Sequence, residues 1–376
     1  MLKPLQQALR RNYQPLNTIL VSAKNLKKNY SYLSRLNPTI KIAPVLKSNA
    51  YGHGIVEVAK ILDTLKLPFL CVDSLYEAYQ LLNVDIKTPI LIMGYVAPMS
   101  LKTKRLPFSY AVFDKEMLQA IAKYQPHAEI HLFVDTGMGR EGMLISEIEE
   151  LTIYAQKAKL RIEGLMSHLA MPDKPQNPFT QKQILNFKKA QQILRNKKVE
   201  PKWVHIASSV GLFELKNYQG LLGNASRTGI GLYGIDPIGR NTKLLPVLSF
   251  HTHIAQVKWL AKGDKVGYDF TYEAKERRRV AVLPVGYNDG IPRALSNKGF
   301  VKIKKQYCPI IGKVSMNITV IDVTETNAKK GDEVEVFSNK TLDKNSVFNT
   351  AKLANTIPYV ILTNLHPSTK REAVNG

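Results

Sequence analysis

From Ile40 onward the chain repeats one pattern, a short apolar run followed by a segment with apolar residues at helical spacing. The runs are Ile40–Leu46, Pro68–Val72, Pro89–Met93, Tyr110–Phe113, Ile130–Val134, Ile162–Ser167, Trp203–Ile206 and Thr228–Tyr233. The helical segments are Ile55–Leu65, Leu75–Leu82, Lys115–Lys123, Glu147–Ala158 and Gln181–Leu194, with weaker intervals at Pro98–Leu106 and Leu212–Tyr218. A helix between two strands carries the chain back to its starting edge, so the strands run parallel. Eight such units fit a TIM barrel, for which about 250 residues are typical. The helical stretch Asn25–Leu36 is available to close the ring. A doubly wound sheet is the alternative on pattern alone.

The texture changes between Lys243 and Ser249. Beyond it come short alternating strands, His251–Gln256, Val280–Leu283, Gly299–Ile303 and Glu333–Phe337, separated by Gly, Asn and Asp turns. The expected architecture is therefore α/β: an N-terminal (β/α)8 barrel over residues 1–245, with an N-terminal extension and a short strand at Thr18–Ser22, then a mainly-β domain over 246–376. Residues 1–16 are basic but hold no apolar stretch that could act as a signal peptide, and no segment approaches a membrane span. Two cysteines, Cys71 and Cys308, cannot build a disulfide framework, and no Cys/His spacing suggests a metal. A cytoplasmic protein is the expectation. The formal net charge of +23 raises the question of nucleic acid. Its basic pairs, such as Lys27-Lys28, Lys188-Lys189 and Lys304-Lys305, are dispersed and carry no interleaved aromatics, so the excess reads as solvated surface that would still attract small anions.

Chemistry in a barrel of this kind sits at the C-terminal ends of the strands. The polar clusters fall there: Lys47, Asn49 and Tyr51 after the first run; Asp135 to Arg140 after the fifth; Ser167-His168 after the sixth; Ser208-Ser209 after the seventh; Asn224 and Arg227 beside the eighth, with Gly229 and Gly231 inside it. Taken singly, Lys47 reads as a snorkelling strand-end lysine, His168 as a structural histidine and Ser208-Ser209 as a helix cap. Their common placement makes a site the better reading.

The stretch Lys47-Ser48-Asn49-Ala50-Tyr51-Gly52-His53-Gly54 closely resembles the cofactor-lysine motif of bacterial alanine racemases. The resemblance continues in order through Val134–Arg140, Ser167–Ala170, Arg227–Gly234, Val266-Gly267-Tyr268, Pro284–Gly290 and Gly312–Met316. It implies a barrel plus β domain, a homodimer with shared active sites, and racemisation of alanine with pyridoxal phosphate, supplying D-alanine for peptidoglycan. By the same resemblance Lys47 bonds the cofactor and serves as one catalytic base, while Tyr268 is the second, contributed by the partner subunit. Arg227 would face the pyridine nitrogen. Tyr51, Ser209, Gly229, Ile230 and Tyr359 would hold the phosphate, and Arg140 and Met316 the substrate carboxylate. His168 would support the network around Arg227. A metal is not implied.

Two positions depart from the family pattern. Phe133 stands where members often carry a lysine, carbamylated in some, whose anion orients the arginine; Asn317 stands where aspartate is usual. Altered substrate-carboxylate geometry is the expected consequence. A serine or broad-specificity racemase of the same fold is the nearest alternative. A barrel-type decarboxylase would carry a catalytic cysteine late in the chain, for which Cys308 is the sole candidate.

Overall fold

The computed structural model describes residues 14–218, 221–239 and 243–375; the basic N-terminal segment of residues 1–13 lies outside them. Ala23–Leu245 forms one compact unit, and Thr18–Ser22 groups with Pro246 onward in a second.

In the first unit eight strands follow each other around a ring: β2 (Lys41–Pro44), β3 (Leu70–Val72), β4 (Ile90–Ile92), β5 (Phe108–Val112), β6 (Glu129–Phe133), β7 (Arg161–Met166), β8 (Trp203–His205) and β9 (Ala225–Thr228). β3 to β8 form one parallel sheet and β9 pairs in parallel with β2. The bridges Val45–Cys71 and Ala207–Ser226 close the two gaps. Successive strand residues point to opposite faces. Ala43, Cys71, Leu91, Ala111, Phe133 and Met166 therefore fill the barrel with Val45 and Phe69, while Ile42, Ile90, Ile92, Ile130 and Leu132 are buried on the other face.

The helices of this unit are α1 (Ala23–Leu36), α2 (Ile55–Leu62), α3 (Leu75–Leu82), α4 (Lys115–Tyr124), α5 (Ile148–Lys157), α6 (Pro178–Asn196), α7 (Ser209–Phe213) and α8 (Leu215–Tyr218). Their starts follow from caps. Ser74 accepts from the Glu77 N–H, Asp114 from Met117, and Asn177 from Phe179 with Pro178 at the first helical position. The weak interval at Pro98 is one 3-10 turn, Pro98–Leu101.

One strand expectation needs correction. The eighth strand is Ala225–Thr228, not Thr228–Tyr233; the chain leaves the sheet at Gly229 and turns, with the Leu232 N–H donating to Gly229 O and the Gly234 N–H to Gly231 O. The apolar residues Ile230, Leu232 and Tyr233 are buried under that turn rather than in a strand.

In the second unit β1 (Thr18–Ser22) pairs with β10 (Leu248–His253) and β19 (Lys370–Val374), although the sequence reading groups it with residues 1–245. The six-stranded sheet runs β16 (Gln306–Pro309), β15 (Phe300–Ile303), β18 (Glu333–Phe337), β10, β1, β19. A three-stranded sheet joins β11 (Gln256–Leu260), β14 (Arg278–Leu283) and β17 (Thr319–Asp322), and β12 (Lys265–Val266) pairs with β13 (Tyr272–Glu273). The run expected as one strand, His251–Gln256, breaks at Ile254-Ala255 and so feeds two sheets. Two helices, α9 (Val347–Leu353) and α10 (Pro358–Thr363), complete the unit.

Candidate active site

After β2 the backbone does something the sequence conceals. Ser48, Asn49, Ala50 and Tyr51 all have φ between 53° and 55°, a full left-handed turn built without glycine. Each non-glycine residue in that region costs about 1–2 kcal/mol. Four contacts hold it. The Ser48 N–H donates to Glu77 Oε1 at 2.7 Å, the Ile55 N–H to Asn49 Oδ1 at 2.8 Å, the Ala50 N–H to Leu46 O at 2.7 Å, and His53 Nδ1 lies 3.0 Å from Ala50 O. Glu77 also accepts the Asp73 N–H through Oε2 at 2.8 Å, which ties the loops after β2 and β3 together. Lys47 begins this turn; its Nζ lies 3.3 Å from Asp73 Oδ1, with its side chain 40% exposed.

Arg227, on β9, is the buried hub. Nη2 donates to Ser167 O at 2.5 Å and to His168 Nδ1 at 3.2 Å, and Nη1 to His205 O at 2.8 Å and His205 Nδ1 at 2.7 Å. Burial pulls Arg227 down to about 10, which leaves it a cation at neutral pH. Burial first, then the charges of Arg227, Arg140 and Lys47, push His168 down to about 3, so it is neutral and free to accept.

Arg140 sits on a loop closed at its base, where the Asp135 N–H donates to Met143 O and the Met143 N–H to Phe133 O. The Asp135 carboxylate accepts from the N–H groups of Gly137, Met138 and Gly139 at 2.9, 2.8 and 3.1 Å. Arg140 Nε pairs with Glu141 Oε2 at 2.6 Å. Phe133, by contrast, is part of the barrel core, packed with Ala111 and Met166. Behind both loops, Gln183 of α6 accepts the Ala170 N–H and donates to His168 O.

Tyr51, Ser209 and the Gly229–Gly231 turn gather at the same end of the barrel. A Cβ on Gly229 would lie 2.4 Å from the Tyr51 hydroxyl, so glycine is required there by close approach. Ser208 takes the N-cap position of α7 without a side-chain cap bond. Ser209 Oγ instead accepts the Gly231 N–H at 3.2 Å.

Tyr268, Met316 and Tyr359 belong to the second unit. Tyr268 follows Gly267 (φ 73°) and is 67% exposed; the ion pair of Asp269 with Lys313 braces its turn. Met316 is fixed through its carbonyl, which accepts the Asn288 N–H at 2.9 Å, while Tyr287 N–H donates to Ser315 O at 3.0 Å. Gly286 permits this contact, since a Cβ there would lie 2.1 Å from Ser315 O. Asn317 is exposed beside it. Tyr359 lies in the first turn of α10. Cys308 is buried on β16 and pushed up to about 11 by burial, which makes it unsuited to nucleophilic work.

Within the first unit the structure thus brings Arg227 and His168 into direct contact, and Tyr51, Ser209 and Gly229 into another cluster. The sequence reading missed Asp73, Glu77, Gln183, His131 and His205. Of these only the histidines carried a signal, as titratable residues inside apolar strands.

Residues 21–237 match the family described as alanine racemase, N-terminal domain, and residues 247–373 its C-terminal domain. An alanine racemase of Symbiobacterium thermophilum is 34% identical over 356 residues, covering 91% of this chain and 93% of that one. The crystal structure of alanine racemase from Bacillus anthracis with bound L-Ala-P superposes with a TM-score of 0.87 at 29% identity, over 96% of each chain. The alanine racemase of Bartonella henselae, solved with covalently bound pyridoxal phosphate, superposes with a TM-score of 0.81 at 25% identity, over 96% of this chain and all of that one.

Proposed function

The chain belongs to the alanine racemase family, and from that premise we propose that Lys47 and Tyr268 are its two proton-handling groups, Tyr268 acting in the site of a partner subunit. The activity is that of the family, interconversion of L- and D-alanine.

The observation that carries the proposal is Lys47 held at the barrel mouth by a strained turn, just after the strand that pairs with the one bearing the buried Arg227. The donor set suits pyridoxal phosphate. It offers a primary amine for the aldehyde, the hydroxyls of Tyr51 and Ser209 with the Gly229-Ile230 main chain and Tyr359 for the phosphate, and a guanidinium for the ring nitrogen. When bound, pyridoxal phosphate acidifies the Cα hydrogen of the attached amino acid.

Everything else falls to the protein. Arg227, a cation at neutral pH, would keep a proton off the ring nitrogen. By facing that nitrogen Arg227 would favour return of a proton to Cα over side reactions. His168, neutral, accepts from Arg227 Nη2 and helps to fix the guanidinium. Arg140 and the Met316 main chain hold the substrate carboxylate. Lys47 Nζ takes or returns the proton on one face and Tyr268 Oη on the other. The strongly exposed Tyr268 suits a group that serves a second chain in a homodimer. The protein would act in the cytoplasm and supply D-alanine for peptidoglycan.

The test is L-alanine in D2O with the holoenzyme, followed by chiral separation and analysis of Cα deuterium. Deuterated D-alanine with its carboxylate retained is the expected product, abolished by Lys47→Ala. Release of carbon dioxide, or exchange with serine but not alanine, would overturn the reading.

A further inference from the structure

Two histidines extend the Arg227 network into the barrel. A guanidinium can only donate hydrogen bonds. His205 Nδ1, 2.7 Å from Arg227 Nη1, must therefore carry a lone pair, and the His205 proton resides on Nε2. That nitrogen lies 2.8 Å from His131 Nδ1. His205 thus donates, His131 accepts, and the His131 proton is on its own Nε2. One charged end fixes the direction of the whole chain of bonds.

We infer that His131 is a positioning residue for the racemase reaction: its unprotonated Nδ1 selects the His205 tautomer that can accept from Arg227, and so holds the guanidinium in its cofactor-facing position. The inference rests on the role of Arg227 proposed above. Three further observations support it. Both rings are buried, His131 at 2% exposure and His205 at 0%, where an unpaired N–H would be costly. Phe69 packs against both, with centroids 5.3 Å from His131 and 5.6 Å from His205. On β7, Gly164 leaves the space that the His131 ring occupies; a Cβ there would lie 2.2 Å from Nδ1. A side chain needed only to fill volume would be aliphatic, and the neighbouring strand would not have to give up its own.

The test compares the holoenzyme with His131→Leu and His131→Asn, the amide oxygen of asparagine being able to take the place of Nδ1. Ring-nitrogen NMR of His205 reports its tautomer directly, and kcat and KM report the consequence. The unmodified chain should show His205 protonated on Nε2. His131→Leu should lose that signature and about tenfold in kcat, the kinetic equivalent of one buried hydrogen bond, with KM for alanine little changed. His131→Asn should recover both. A proton on His205 Nδ1 in the unmodified chain would overturn the inference outright, even if His131→Leu fails to fold. So would wild-type kcat in His131→Leu, or an asparagine variant that folds and is no better than leucine. The tautomer is read without any turnover, whereas the functional reading stands on deuterium exchange by the unmodified chain, so the two can fail separately.

Discussion

The imidazole of His53 stacks on the ring of Tyr233, with centroids 4.4 Å apart and planes 26° from parallel. Tyr233 in turn donates from its hydroxyl to Val45 O at 2.9 Å. The pair clamps the two ends of the left-handed turn that starts at Lys47. Tyr233→Phe keeps the stack and loses the hydrogen bond, which should lower stability by about 1 kcal/mol. His53→Ala loses the stack and the contact with Ala50 O, and should slow attachment of pyridoxal phosphate to Lys47 more than it lowers the melting temperature. Equal loss in both readouts would show that the stack supports the fold in general and not the turn.

Strain in the same turn reverses the usual effect of glycine. Ser48 is exposed, and its φ is 55°. Ser48→Gly relieves a penalty of about 1–2 kcal/mol and adds an unfolded-state entropy cost of about 0.5–1 kcal/mol. The net expectation is a gain of stability, read as a higher denaturant midpoint with an unchanged slope. A drop in midpoint would mean that the Ser48 side chain contributes more than its backbone costs.

Glu77 is the acid that makes the turn possible, accepting from Ser48 and Asp73 at once. Charge-assisted bonds of this kind are worth about 1.5–3 kcal/mol. Glu77→Gln replaces one accepting oxygen by an amide that faces an N–H, so stability should fall by about 2 kcal/mol and the Lys47–Asp73 pair should loosen. Chemical denaturation gives the first quantity, and the rate of cofactor attachment to the apo chain gives the second. No change in either would mean that Glu77 does not hold the turn.

These contacts mark where the sequence stops being readable. The barrel is legible because alternation of apolar strands with amphipathic helices is a local property, and seven of the eight strand runs fall on strands. The turn at Ser48–Tyr51 is not, because serine, alanine and tyrosine favour right-handed backbone and the stabilising acid lies 29 residues away. Gly52 and Gly54, with φ of 80° and 96°, come after it and only complete it. Likewise β1 pairs with strands more than 200 residues later, and nothing local announces that. Arg227 and His168 were legible by motif. His131 and His205 were not, because a strand histidine shows its partner only once the strands are aligned in register.

Acid should unfold the protein early, and His131 supplies a testable share. Burial, with the Arg227 charge, pushes His131 from 6.5 to about 3, and His205 moves in the same direction. The unfolded chain therefore takes up these protons first. The associated stability is complete above about pH 6.5 and is lost as pH falls toward the folded-state value. At pH 5 the loss for His131 alone is about 2 kcal/mol. Denaturant unfolding at neutral pH and at pH 5 should show a smaller difference for His131→Asn than for the unmodified chain. Identical pH dependence would mean that His131 does not titrate on unfolding.

The proposed sharing of sites between subunits gives the most decisive expectation. In a twofold dimer whose sites each combine a lysine from one chain and a tyrosine from the other, the two residues can be lost on separate chains. Lys47→Ala and Tyr268→Phe should each be inactive as homodimers. Co-expressed, they should form mixed dimers in which one site receives Lys47 from the Tyr268→Phe chain and Tyr268 from the Lys47→Ala chain. That site is intact, and racemisation should return, while the other site lacks both groups. An inactive mixed dimer, shown by mass to contain both chains, would place the two residues in one chain's site. An active Tyr268→Phe homodimer would remove Tyr268 as the second base altogether.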